Sequence, residues 1–429
     1  MYTIPYGKTQ LEFEAPTGAR VDVARSKNIP PLADVKAAVD EALQKPVGSV
    51  RLRDMAKPGN SVCIVFTDIT RSSPDHIMVP ALLAELEAAG ARDDDITLLC
   101  GIGMHRASTL EEKIIKLGRD IVDRYRVVDH EPQNPAALVD LGTSESGIPL
   151  SVNKIAFESD LLIATGIVEP HQYAGYSGGR KTLAVGAAGE KMIAYTHGPE
   201  MIDHPGVRLG QTENNPFHEA ITEAAKRAGL RFIVNVVQDD DKRPVAVYAG
   251  APEAAFEKLV AVARDLYEAP IPRQYDIAVA GVGFPKDANI YQASRAASYL
   301  FFAPTSVVGD GGVIIIPAPT EEGAGHGVGE QRYLEVMRNA GSMSSLLDDM
   351  RRDGYPPGAQ RAFIMAKVLE KNQVIIVGSQ TPELVIDSKM TPARDMDEAF
   401  ALACKTLGKQ DPDVIIVPHA LLTLPIVQA

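Results

Sequence analysis

The chain has 429 residues, 45% hydrophobic and 23% charged, with Lys+Arg 43 against Asp+Glu 56 and a net charge of −13. That length exceeds what one hydrophobic core usually supports, so two domains are expected. The acidic balance repels phosphate backbones and anionic lipid, which excludes nucleic acid and membrane as expected partners but leaves room for a local basic pocket that takes a small anion. Cys63, Cys100 and Cys404 form no CxxC pair, so neither a disulfide framework nor a thiolate zinc site is expected, and a reducing cytoplasm fits. The opening MYTIPYGKTQLEFEAP has neither the basic nor the apolar region of a leader, and no apolar run approaches a membrane span, which predicts a soluble chain.

Short, β-branched apolar runs recur at 61–68, 95–103, 160–166, 231–237, 276–283, 312–319, 373–379 and 413–420. Without alternation, such runs suit strands buried on both faces. Helical spacing fills 76–91, 215–230, 253–267 and 396–408 between them. Strand alternating with helix predicts an α/β fold, two domains with largely parallel sheets, and an active site in the interdomain cleft. The Pro-rich EAPIPRQYD at 268–276 marks the junction, giving domains 1–270 and 271–429. Ligands of such folds gather at the carboxyl ends of strands, and the unusual residues follow strands.

The first is TDITRSSPDH, 67–76, with Asp68 and Arg71. Asp68 or Ser72 could merely cap the next helix, but a guanidinium fork such as that of Arg71 can also hold a substrate carboxylate by two bonds. The second, CGIGMHRAST at 100–109, carries His105. The densest is EPHQYAGYSGGRK, 169–181, after the strand DLLIATG and running on to His197. Glycines, a serine and two cations in a post-strand loop make an anion cradle, because glycine lets backbone N–H groups approach a phosphate; an ordinary glycine-rich turn is the plainer alternative. GYSGGRKT also approaches the P-loop pattern, but Arg180 stands where that pattern has glycine. His105, His171 and His197 could converge as metal ligands or general bases, yet their spacing matches no local zinc signature. In the second half, GVGFPKDANIYQASRAA at 281–297 carries Lys286, Tyr291, Gln292 and Arg295, and the loop at 319–332 carries His326 with several glycines and no assignable role.

Together TDITR, GMHR, EPHQYAGYSGGRK through His197, and YQASR, in this order, resemble the nickel-dependent lactate racemase family, whose members racemise or epimerise 2-hydroxy acids. The resemblance implies a two-domain α/β fold and a nickel-pincer nucleotide, a pyridinium mononucleotide with two thiocarboxyl arms. It implies covalent attachment at Lys181, His197 as the protein's nickel ligand, and a phosphate cradle at Tyr176, Ser177, Gly178 and Gly179. His105 and His171 become general bases, one for each antipode. Arg71 holds the substrate carboxylate, supported by Asp68, Tyr291, Gln292 and Arg295. The implied partners are a small 2-hydroxy acid and the enzymes that build the cofactor. Arg295 stands where the family has lysine, and the two are not interchangeable at a shaped site, so a 2-hydroxy acid other than lactate is expected. A zinc-type hydrolase built from the same histidines and a non-catalytic nucleotide-binding module are the alternatives.

Overall fold

The computed structural model describes residues 1–356 and 358–428. The chain divides into two compact units, one of 28–197 with 211–266, the other of 1–27 with 198–210 and the chain from Tyr267 onward. The eight apolar runs become strands Val62–Thr67, Ile96–Gly101, Leu161–Ile167, Leu230–Gln238, Tyr275–Ala280, Val308–Pro317, Gln373–Val377 and Asp413–Val417. The four helical spacings become Asp75–Ala88, Pro216–Arg227, Pro252–Tyr267 and Met396–Leu407. Among the described residues no helix is long and apolar enough to cross a membrane.

The unit of 28–197 and 211–266 is built on a six-stranded sheet in the order Pro244–Gly250, Leu230–Gln238, Leu161–Ile167, Val62–Thr67, Ile96–Gly101, Arg126–Asp129. Only Pro244–Gly250 runs antiparallel to its neighbour. Side chains alternate across each strand. Ile64, Phe66, Leu98, Ile163, Phe232 and Val234 thus pack on one face against Leu82 and Leu86 of Asp75–Ala88. The other face is covered where Gly179–Ala184 lies on Ala164 and Ile233. Strand Val62–Thr67 is followed in sequence by its neighbour Ile96–Gly101, whereas Leu161–Ile167 leads the other way, to Leu230–Gln238. The two central strands therefore part company at their carboxyl ends, and such a switch point is where α/β sheets hold ligands. The segments leaving it are 68–75 and 168–181.

The other unit has a fully parallel sheet in the order Thr391–Ala393, Gln373–Val377, Val308–Pro317, Tyr275–Ala280, Asp413–Val417, Arg20–Val23. A single cut at 270/271 leaves Arg20–Val23 with the first half. The structure places it here because it pairs with Asp413–Ile416 at the sheet edge. The expected junction segment is itself ordered, Glu268–Ile271 pairing in parallel with Leu424–Val427.

Candidate functional site

At the end of Val62–Thr67 the chain turns through Asp68, 5% exposed. Its Oδ2 lies 2.5 Å from His105 Nδ1, and its Oδ1 accepts from Thr70 N–H and Oγ1 at 3.2 and 2.6 Å. Burial works to raise this carboxyl's pKa, but the hydrogen bonds from His105 and Thr70 outweigh it and hold it below the usual carboxylate value. An ionised carboxylate only accepts, so His105 donates from Nδ1 and keeps its lone pair on Nε2. Asp68 is therefore the orienting partner of His105.

Beneath this loop lies an ion pair that motif reading did not find. Asp75, wholly buried, meets Lys116 Nζ at 2.8 Å. It also accepts from Thr67 Oγ1 at 2.7 Å, Ser73 Oγ at 3.2 Å and Thr165 Oγ1 at 2.6 Å. Lys116 further donates to the carbonyls of Arg71 and Ser73 at 3.1 and 3.0 Å. Buried charges persist when paired and fully hydrogen-bonded, as here. The pair holds the backbone from which Arg71 projects, and through Thr165, whose carbonyl accepts from Thr182 Oγ1 at 2.7 Å, it abuts the helix that carries Lys181.

The second segment folds back on itself through a short pairing of Pro170–His171 with Gly175–Tyr176. Gly175 has φ +74°, and a Cβ there would sit 2.2 Å from the Gln211 carbonyl oxygen, so only glycine fits. Tyr176 is fully buried. Ser177 Oγ donates to Ile167 O at 2.6 Å and accepts from Glu169 N–H at 3.1 Å, closing the loop internally. Gly178 and Gly179 press on Val168, Ile233, Asn235 and Phe256, so close packing against the sheet is one reason for glycine there. Arg180 turns into the core, over the Phe256 ring at 3.9 Å and donating to Thr222 Oγ1 at 2.7 Å.

His171 differs from His105 in its tautomer. Its Nδ1 accepts from the N–H groups of Tyr173 and Ala174, both at 3.2 Å, so the hydrogen of the neutral ring sits on Nε2. The ring meets Tyr173 edge-on, and Tyr173 in turn meets His197 edge-on with centroids 5.4 Å apart. Phe217 packs against all three. His197 caps the helix Glu190–Thr196. Its Nδ1 faces the Ile193 carbonyl at 2.9 Å, a donor arrangement that leaves the lone pair on Nε2. Burial, then the Lys181 charge, push His197 down to about 4, so the ring is neutral at physiological pH. Lys181 is pushed down to about 7 by burial and then by Arg71, against the opposing pull of Glu169 and Asp68. Asp68, His105, Arg71, Lys181 and His197 thus share one electrostatic neighbourhood.

Tyr291, Gln292 and Arg295 belong to the other unit. A break at Ser294 divides their segment into helices Ile290–Ala293 and Arg295–Phe301. Arg295 still reaches back across it to donate to Gln292 Oε1 at 3.2 Å, and it donates forward to Tyr299 OH at 3.0 Å. Among the described residues no three His, Cys, Asp or Glu side chains converge to hold a metal ion.

The N-terminal domain of lactate racemase matches residues 6–210 and its C-terminal domain residues 272–424. The chain belongs to the lactate racemase family. The lactate racemase of Thermoanaerobacterium thermosaccharolyticum is 34% identical over 421 residues, 97% of each chain. That of Lactiplantibacillus plantarum is 34% identical over 388 residues, 89% of each. The solved apoprotein of the T. thermosaccharolyticum lactate racemase superposes with a TM-score of 0.88 at 33% identity over 99% of both chains. A Thermotoga maritima protein shares the fold with a TM-score of 0.67 at 22% identity, covering 94% of this chain and 100% of its own. The chain is accordingly an isomerase, a racemase of this family.

Proposed function

We propose that this racemase interconverts the antipodes or epimers of a 2-hydroxy acid other than lactate, using a nickel-pincer nucleotide attached to Lys181. The observation that carries the reading is the pair Lys181 and His197. A lysine whose pKa is pushed down to about 7 offers a neutral amine for acylation, and a neutral imidazole whose Nδ1–H is bonded to the Ile193 carbonyl carries its lone pair on Nε2, the form that ligates a metal. His197 alone cannot hold nickel, which agrees with a group that brings its own sulfur and carbon donors. When bound, that group supplies an acceptor for hydride.

The protein's own residues do the rest. Arg71, held through its carbonyl by Lys116, takes the substrate carboxylate as a charged fork. His105 Nε2 takes the hydroxyl proton of one antipode, and Asp68 beside Nδ1 stabilises the imidazolium that forms. His171 serves the oxygen in its other position. Its neutral ring begins as an Nε2–H donor, so it becomes a base only when the Tyr173 and Ala174 amides release Nδ1. Tyr291, Gln292 and Arg295 are assigned to the substrate. Arg295, braced by Gln292 and Tyr299, favours an acid with a longer tail or a second carboxylate over lactate.

Co-expression with the pincer-building enzymes, followed by intact mass and a chiral assay over a panel of 2-hydroxy acids, tests this. The expected result is a covalent adduct lost in Lys181→Ala and best turnover on an acid larger than lactate. A loaded chain with no adduct at Lys181 removes the cofactor assignment, and best turnover on lactate removes the substrate assignment.

A further inference from the structure

The run RFIVNVVQ places one carboxamide in the middle of a strand whose other central members are apolar. Asn235 is 0% exposed, and among the described residues neither its Oδ1 nor its Nδ2 has a hydrogen-bond partner. It sits opposite Gly166 in the parallel register of Leu230–Gln238 with Leu161–Ile167, on the same face as Ile233, under the Lys181 helix. A Cβ built on Gly178 would lie 3.3 Å from Nδ2, and those on Gly179 and Gly166 would lie 3.2 and 3.1 Å from Oδ1. The amide is therefore aimed into the corner where three glycines meet, directly below the turn that leads to Lys181. Arg180 Nε, two residues past Gly178, is likewise buried with no partner among the described residues.

A carboxamide kept only for stability would be paired, because burying it unpaired is unfavourable and valine would suit the strand better. Such an unpaired group in a native fold calls for a functional explanation. The neighbouring side chains do not provide one, since Ile233, Val234, Val236 and Val237 are all wholly buried and apolar.

We infer that Asn235 is a positioning residue for cofactor attachment, resting on the reading of Lys181 given above. Its amide pairs with the peptide groups at Gly178 and Gly179 when the cofactor draws that turn into its loaded form, and so fixes the direction in which Lys181 leaves the helix. No bond is made or broken at Asn235 itself. Loading thus ends with donor and acceptor satisfied together.

The test compares wild type, Asn235→Val and Asn235→Thr, each expressed alone and with the pincer-building enzymes. Alone, Asn235→Val is expected to melt no lower than wild type, since it loses only unpaired polar atoms. Co-expressed, its fraction of adduct at Lys181, read by intact mass, is expected to fall at least tenfold, with Asn235→Thr recovering part of the loss through one hydroxyl of the same shape. Should the variants fold poorly, the side-chain amide resonance of Asn235 in wild type decides, and it is expected to move when the chain is loaded. Equal loading of Asn235→Val and wild type, a clear drop in the melting point of the unloaded valine variant, or an amide resonance unmoved by loading each overturns the inference. A wild-type chain that takes no adduct removes the cofactor reading as well, which separates the two failures.

Discussion

Lys116→Met keeps the length of the side chain and removes only its charge and donors. Asp75, 0% exposed, loses its counter-charge, and Lys116 itself is 5% exposed, so water cannot replace the lost ammonium. Breaking a buried pair by removing one partner costs about 3–5 kcal/mol. The carbonyls of Arg71 and Ser73 lose their donor in the same step, which places the cost toward the upper end. At about 2–4 °C per kcal/mol for a unit of this size, the melting point of the unit bearing Lys181 should fall by roughly 6–20 °C. Urea titration should show a lower midpoint with an unchanged slope, the mark of lost stability without a change in surface exposed. The double variant Lys116→Met/Asp75→Asn replaces the stranded acid with a neutral amide that keeps an acceptor for the hydroxyls of Thr67, Ser73 and Thr165, and should recover much of the loss. A cost below about 1 kcal/mol for the single variant, or a double variant no better than the single, would refute the reasoning.

Three further outcomes follow from the same geometry. Under the proposed reading, Asp68→Asn should lower kcat of the cofactor-loaded chain by about 10²–10⁴-fold without lowering the fraction loaded, because the carboxylate that fixes the His105 tautomer is gone; turnover near wild type would sink this. Gly175→Ala meets both φ +74° and a backbone oxygen 2.2 Å from the new Cβ, so a destabilisation above about 2 kcal/mol is expected in chemical unfolding. Lys181 sits at about 7 when folded against about 10.4 when unfolded. Between those values the unfolded chain holds the extra proton, so the stability of the unloaded protein gains from this group as pH rises through the window and loses it as pH falls through 7. Urea unfolding at several pH values should show that gain in wild type and not in Lys181→Met, and parallel curves for the two would contradict it.

The interior strands were legible because both faces are covered, which forces uninterrupted apolar runs such as VCIVFT and DVIIV. Edge strands Arg20–Val23, Arg126–Asp129, Pro244–Gly250 and Thr391–Ala393 lack that pressure, carry polar or proline residues and left no such signal. The motif loops could be placed because each follows a buried strand. The partner each side chain takes could not be read from the linear order, since Asp68 meets His105 across 37 residues and Lys116 meets Asp75 from a different helix. Asn235 did leave a trace, a lone carboxamide within an apolar run, and its environment gives that trace a meaning.

Motif order by itself was enough to indicate the family, because chemistry-bearing residue types recur at set intervals whatever the surrounding packing, and it marked Lys181 and the histidines at 105, 171 and 197 as candidates. Only the tertiary structure decided which imidazole nitrogen each histidine offers, that the glycines pack closely against the sheet, and that Arg180 turns into the core. Those outcomes depend on strand order. The sheet places Val62–Thr67 beside Leu161–Ile167 and sends their continuations in opposite directions, and hydrogen bonds between segments about 100 residues apart exist only once that adjacency has formed.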